Sequence, residues 1–368
     1  MNVLKVGAKT KRDLHQIIPF GLIWLLSGWV FILVELAVSG SSLELPDTAI
    51  RMDIQIFLLS SVAITVVGLL TGFIELKYLH EAFLHKNFAI RSLYKFFIYS
   101  LFFFLIVLVT FPIAASLELD ASIFDSRVWE KYGNYITSIT HLSTAVQLGT
   151  ALILSLFYTE ISEFIGQGVL MNFFTGKYHN PVEEERIFMF LDMKSSTTIA
   201  EQLGHLAYFK LLRDYYHCFT DAIIENEGEV YGYVGDEIIL SWKFEGDKRD
   251  HRCIDCFFAM RGSLEGKEGF FNDKFGQIPT FKAGIHYGKV TTGEIGTIKK
   301  DILFSGDVLN AAARIQGLCN SYETDLIVSA EMLDQLDLKP CYSSKFLGAI
   351  ELRGKEESKE LFAISRAF

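Results

Sequence analysis

At 368 residues the chain exceeds one average domain, and its composition changes sharply near residue 165, so two parts are expected. The net charge of −10, unrelieved by any basic stripe with interleaved aromatics, argues against nucleic acid as a partner. All five cysteines fall after residue 165, in the part assigned below to a reducing compartment, so disulfides are not expected.

The first part carries four apolar stretches, at residues 17–38, 56–74, 96–115 and roughly 136–157. Each is about 20 residues, long enough to cross a hydrocarbon core of about 30 Å. Lys5, Lys9, Lys11 and Arg12 precede the first stretch, and Lys77, Lys86, Arg91 and Lys95 lie between the second and third. These basic segments belong on the cytoplasmic side, and the acid-rich loops holding Glu44, Asp47, Glu118 and Asp120 on the outer side, so both termini are expected inside a plasma (inner) membrane. The first stretch is too long for a signal-peptide core, and no small-residue cleavage site follows it.

Residues 166–185, interrupted by Gly176 and Pro181, read as a coupling linker of helical continuation between the two parts. The domain boundaries expected are therefore 1–16 for a cytosolic segment, 17–165 for the spans, 166–185 for the linker and 186–368 for a cytosolic domain. Within that domain a strand is expected at 187–191, a long helix at 198–225, a hairpin at 229–234 and 237–242, and a helix at 249–264. Strands at 280–286 and 290–295, a helix at 308–319, a short strand at 326–328 and a closing pair at 344–352 and 360–365 complete the pattern. Mixed strands and helices with antiparallel pairs indicate an α+β sandwich. Cys253 and Cys256 have redox or zinc spacing, but with no second pair nearby they read as packing residues on a helix.

Chemistry enters with two aspartates at expected strand ends. Asp192 closes the apolar run that starts at Ile187 and is followed by Ser195, Ser196, Thr197 and Thr198, which open a helix. Asp236 follows Gly235 at the turn of the hairpin, where Gly-Asp suits a tight reversal. Magnesium takes one or two protein carboxylates and leaves its other positions to water and phosphate, a need that Asp192 and Asp236 meet. Asn310 and Arg314 stand one helical turn apart further on, and the set suggests a two-metal phosphoryl-transfer site. Taken singly, each has an ordinary structural explanation: a strand terminus, a hairpin turn, a solvated helix face.

From residue 185 to the end, the ordered motifs resemble the class III adenylyl and guanylyl cyclases, in particular the membrane-anchored bacterial type. The resemblance rests on Phe190 to Thr197, on Val234 to Glu237, on Gly284 to Gly288 with Gly293 to Gly296, on Gly306 to Arg314, and on Glu351 to Gly354. It implies a ferredoxin-like core sheet with helices, and conversion of ATP to 3′,5′-cyclic AMP and pyrophosphate. It further implies that Asp192 and Asp236 hold two Mg2+ or Mn2+ per site, with the Met193 carbonyl as a further ligand. Asn310 would orient the ribose, Arg314 would neutralise charge at the α-phosphorus, and Arg353 would grip the terminal phosphates in place of the usual lysine. Ser195, Ser196 and Thr197 would hold phosphate oxygens at a helix start. Because the family divides these residues between two catalytic domains, and this chain has one, the resemblance implies a head-to-tail homodimer.

Two positions depart from the family pattern. Gly232 stands where adenine-selective members carry Lys and guanine-selective ones Glu, and Leu303 stands where Asp, Thr or Cys would complete base recognition. Neither side chain can hydrogen-bond a base edge, so Tyr231, Tyr233, Ser305 or the main chain must select the purine. The missing guanine-selecting Glu and Cys favour ATP, with a guanylyl cyclase as the alternative and a catalytically silent nucleotide-binding receptor as the competitor from another class. In the membrane part, Glu35, Glu75, His80 and His141 are the ionisable groups near membrane depth. His80 and His141 fall at opposite sides, which does not favour haem ligation, and the outer loops, about 15 to 20 residues long, are too small for a folded sensor domain. A membrane ligand would bind within the helices or at their outer face.

Overall fold

The computed structural model describes residues 7–39, 53–79, 88–166, 175–247, 251–351 and 358–367, with positions 82, 170 and 172 between them. Arg353, His80, Lys86 and Lys5 lie outside the described residues, as does part of the linker expected at 166–185. The chain divides into two compact units, Thr10–Ile165 and Met1–Lys9 with Gly166–Phe368.

The first unit contains α1 (Ala8–Ser39), α2 (Ile54–Ile74) prolonged by a π-helical turn (Glu75–Leu79), α3 (Phe88–Glu118), α4 (Ser126–Ile136) and α5 (Ile139–Ile165). Four of these, α1, α2, α3 and α5, are long and apolar enough to cross a membrane. Their outward residues, such as Leu26, Leu33, Val62, Leu101 and Ile153, are exposed and apolar, whereas Trp24, Val67, Tyr99, Phe103 and Leu152 pack inside. Helix surfaces apolar all round suit a lipid solvent. Small residues permit the approach of α1 to α2: a Cβ on Gly68 would sit 2.7 Å from Trp24 Cβ. Polar groups are turned inward. Trp24 Nε1 donates to Ser155 Oγ at 3.0 Å, Tyr99 Oη donates to Glu75 Oε2 at 2.8 Å, and Lys95 pairs with Glu75.

Two sequence expectations change here. Arg91 and Lys95, expected in the loop between the second and third spans, stand on α3, where Arg91 meets Glu160 and Lys95 meets Glu75, so the helix continues through its basic residues because each has an acidic partner. The segment between α3 and α5, expected to be a loop, holds a helix, α4, capped by Asp125, which accepts from the Arg127 amide at 2.9 Å. It is pinned by the stacking of Tyr135 on Phe111 at 4.0 Å.

The second unit runs β1 (Val182–Met193), α6 (Ser196–Leu203), α7 (His205–Glu225), β2 (Glu229–Val234), β3 (Glu237–Lys243), α8 (Arg252–Glu265), α9 (Glu268–Phe275) and β4 (Phe281–Ile295). It continues with β5 (Asp301–Ser305), α10 (Asp307–Gly317), β6 (Leu326–Ser329), α11 (Ala330–Leu333), β7 (Tyr342–Glu351) and β8 (Ser358–Arg366). The sheet order is β2-β3-β1-β4-β6-β8-β7, with β5 paired to β4. Its first four strands, antiparallel in the order β2-β3-β1-β4 with helices between β1 and β2 and between β3 and β4, make the βαββαβ arrangement of a ferredoxin-like core.

The core sits on both faces of this sheet. Ile187, Met189, Leu191 and Met193 of β1 turn toward Phe219, Phe257 and Trp242, while Phe188 and Phe190 turn toward Val308 and Ala312 of α10. Burial on both faces explains the unbroken apolar run from Ile187 to Leu191. Cys253 and Cys256 are buried thiols of α8 within the same core.

Several boundaries differ from the sequence reading. β1 begins at Val182, five residues before the expected start, and so takes the last residues assigned to the linker. Its charged beginning is held by a buried guanidinium: Arg186, 3% exposed, donates to Glu184 at 2.9 Å, to Glu229 at 2.7 Å and to Ser241 at 2.9 Å. The helix expected at 198–225 breaks at Gly204, whose φ of +73° closes α6 and starts α7. The strands expected at 280–286 and 290–295 are one continuous β4, because Gly288 stays in register opposite Arg186. Helices α9 and α11 and strand β5 have no counterpart in the sequence reading.

Candidate active site

The site starts from strand alternation. Asp192 is two residues beyond Phe190 and so lies on the α10 face of β1, flanked in register by Glu237 of β3 and Lys282 of β4. Met193, the next residue, turns its side chain into the opposite core, so only its main chain is available to the site. The β2-β3 turn joins Val234 to Glu237 through two residues, and only Gly235 has positive φ, at +65°. That is the φ pattern of a hairpin with Gly at the first central position. It leaves Asp236 at the strand end beside Asp192, close enough for its charge to act on the Asp192 carboxyl.

Two carboxylates so close repel each other. Burial, then the neighbouring Asp236, pushes the Asp192 carboxyl above its ordinary range, and Lys282 and Gln316 pull in the other direction. Glu237 is pushed up to about 7 by burial and by the charges of Asp192 and Asp236. The Lys282 ammonium is 3.6 Å from Asp192 Oδ2, and the Gln316 amide donates to the same oxygen at 3.2 Å. Among the described residues, no three His, Cys, Asp or Glu side chains converge as a closed metal cage. A paired, partly open carboxylate site of this kind fits a hard divalent cation that completes its shell with water and phosphate oxygens.

Ser195 has φ +55° at the position before α6 and makes no side-chain cap, so the first amides of α6 are left to other partners. Ser195 and Thr197 are exposed and Ser196 is half-buried. They follow Asp192 by three to five positions.

Asn310 and Arg314 lie elsewhere on the same protomer. Helix α10 buries Val308, Ala311, Ala312, Ile315 and Gln316 against the sheet. At about 100° per residue, Arg314 and Asn310 are about 160° and 120° around the axis from Gln316. Asn310 is exposed and Arg314 half-exposed, on a face turned away from the one that touches Asp192. The structure thus brings the two aspartates together and separates them from the Asn/Arg pair within one chain. Gly232 sits at a bulge in β2 with open space where a Cβ would be, and Leu303 is 38% exposed on β5. Tyr231 packs on Phe304, and Tyr233 on Tyr216, so both aromatic rings are engaged within the protomer.

Gln316 and Lys282 were missed in the sequence reading. A signal was present: Gln316 continues the stripe Val308, Ala311, Ala312, Ile315, and a polar residue on a buried helix face needs a partner.

The sequence profile of the Adenylate and Guanylate cyclase catalytic domain matches residues 179–365, about half the chain. Adenylate cyclase 2 of Rhizobium meliloti (strain 1021) is 29% identical over 210 residues, covering 57% of this chain and 58% of that protein. Adenylate cyclase of Anabaena cylindrica is 26% identical over 187 residues, covering 48% of this chain and 36% of that protein. The chain therefore spans about half, or less, of the length of these curated relatives. Among solved structures, a bacterial light-regulated adenylyl cyclase superposes with a TM-score of 0.53 at 19% identity, over 62% of this chain and 67% of that one, a likeness of fold. With the matched domain coinciding with the sheet that carries the paired aspartates, the chain belongs to the adenylate and guanylate cyclase family, the class III nucleotidyl cyclases.

Proposed function

We propose that this chain is a membrane-anchored adenylyl cyclase, active as a head-to-tail homodimer whose termini face the cytoplasm. The observation that carries the shared site is the opposed placement of Gln316 and of Asn310 with Arg314 on α10. A helix whose one face touches Asp192 cannot also aim its other face at the same carboxylate, so the Asn/Arg pair serves an aspartate pair on a second copy.

In this reading the ribose 3′-hydroxyl of ATP attacks the α-phosphorus and gives its proton to solvent water, a new O–P bond closes the ring as the bond from the α-phosphorus to the α,β-bridging oxygen breaks, and pyrophosphate leaves. Asp192 and Asp236, with the Met193 carbonyl, would hold Mg2+ or Mn2+; when bound, the cations supply charge that lowers the pKa of the attacking hydroxyl and offsets that of the triphosphate. Arg314 of the second copy stabilises charge developing on the α-phosphoryl oxygens, and Asn310 orients the ribose. The hydroxyls and amides at Ser195, Ser196 and Thr197 hold phosphate oxygens. Arg353 grips the terminal phosphates, its fork replacing an ammonium.

ATP is favoured because Gly232 and Leu303 lack the side chains that read guanine, and because the two bacterial relatives above are named adenylate cyclases. The membrane helices bring two copies together and regulate them through an unidentified ligand. The test is an assay of membranes holding the full chain with ATP or GTP and Mg2+ or Mn2+. Cyclic AMP formed from ATP, lost in Asp192→Asn and in Arg314→Ala, is the expected result. Cyclic GMP alone would give the guanylyl reading. No cyclic product from a folded dimer would give the silent receptor.

A further inference from the structure

Helix α10 touches both halves of the proposed chemistry, and Gln316 is where it touches the metal-binding half. The side chain is 6% exposed, and its Nε2 donates to Asp192 Oδ2 at 3.2 Å. Its place is fixed by main chain. β4 carries Gly284 under the helix, and a Cβ there would lie 2.3 Å from the Gln316 nitrogen and 2.7 Å from the Ala312 oxygen. The helix backbone therefore rests directly on the strand next to β1, at a distance that no other residue permits. From that same strand Lys282 approaches Asp192 at 3.6 Å, also at Oδ2.

A buried amide that donates to one carboxylate oxygen does two things: it selects a single rotamer of the aspartate, and it leaves the other oxygen for a cation. We propose that Gln316 is a positioning residue for Asp192, holding Oδ2 so that Oδ1 is presented to the divalent ion. This rests on the shared-site reading above. Each α10 then serves two sites at once, giving Asn310 and Arg314 to one and the orientation of Asp192 to the other.

The experiment uses full-length chains with two tags, co-expressed and purified through both as mixed dimers. One chain carries Asp192→Asn and the other Arg314→Ala. Of the two sites in the mixed dimer, one is then intact and the other has lost both groups. Activity of the mixed dimer, with neither variant active alone, tests the shared site; an inactive but folded mixed dimer overturns that reading and this proposal with it.

Gln316→Met is then placed on each chain in turn. On the Arg314→Ala chain, which supplies the surviving Asp192, kcat/KM is expected to fall by about tenfold or more, as for loss of a hydrogen bond to a charged group. The dissociation constant of the same mixed dimer for Mn2+ alone, read without nucleotide from the paramagnetic resonance signal of free Mn2+, is expected to rise about tenfold with it. On the Asp192→Asn chain Gln316 adjoins the disabled site, and the change is expected to stay within about twofold. Equal losses from both placements, a loss confined to the chain that supplies Arg314, or no loss from either, would overturn the proposal and return Gln316 to a packing role. Should the methionine variant fail to fold, Gln316→Glu, which keeps the length and removes the donor, is read for the same asymmetry.

Discussion

Arg186 shows how a single residue turns a charged segment into strand. Its guanidinium lies 4.5 Å over the Phe304 ring and donates to Glu184, Glu229 and Ser241, so the beginning of β1 is charged in sequence and buried in the fold. Removing one partner of a buried pair leaves an uncompensated charge, and Arg186→Met is expected to destabilise the cyclase domain by on the order of 3–5 kcal/mol. Urea unfolding followed by the fluorescence of Trp242, buried in the same sheet, measures this. Burial alone would raise the Glu184 carboxyl, but Arg186 holds it below its ordinary value of 4.5. A depressed folded value means that the stabilisation is fully present above about pH 4.5 and is lost as the pH falls through the lower folded value. Wild-type stability should therefore fall on acidification from pH 5 toward pH 3. A wild-type unfolding midpoint that stays flat across that window would contradict the assignment.

At the scale of elements, the junction of α10 with β4 decides whether the site is assembled. Gly284→Ala places a methyl against helix backbone rather than a flexible side chain, so α10 must shift. The expected outcome is a loss of cyclase activity of about tenfold or more, with the domain still folded by circular dichroism, because α10 carries both Gln316 and Arg314. The hairpin is the second such element. Gly235 at φ +65° permits the two-residue turn that sets Asp236 beside Asp192, and Gly235→Val forces a β-branched residue into that conformation. Weaker Mn2+ binding is expected, read as a higher half-saturating concentration for activity.

For the whole molecule, the apolar unit is organised around ion pairs that lipid cannot solvate. Glu75 and Lys95, 2% and 4% exposed, pair with each other, and Tyr99 donates to the same carboxylate. Glu75→Gln or Lys95→Met alone is expected to lower the detergent-solubilised thermal midpoint more than the two together, since the single changes strand a charge and the double change removes both. Additive losses would show that the pair is not coupled. The π-helical turn that begins at Glu75 widens α2 where this pair sits, and such turns are frequent at functional sites.

Apolar length fixed the four long helices, because a run of about 20 apolar residues has few other stable solutions. Periodicity and turn chemistry likewise located most strands, the hairpin at Gly235 and the acids at strand ends, since these are local properties of a few consecutive residues. Local pattern failed where a distant partner decides the outcome: the charged start of β1 waits for Ser241 and Glu229, the continuity of β4 through Gly288 waits for β1, and α9 and β5 owe their form to neighbours. The identities of Asp192, Asp236, Asn310 and Arg314 could be read in order along the chain. That the first two meet is set by the pairing of β1 with β3 next to the turn at Gly235, and that the last two face away is set by the packing of α10 on Gly284, a contact between backbones that no spacing in the sequence encodes.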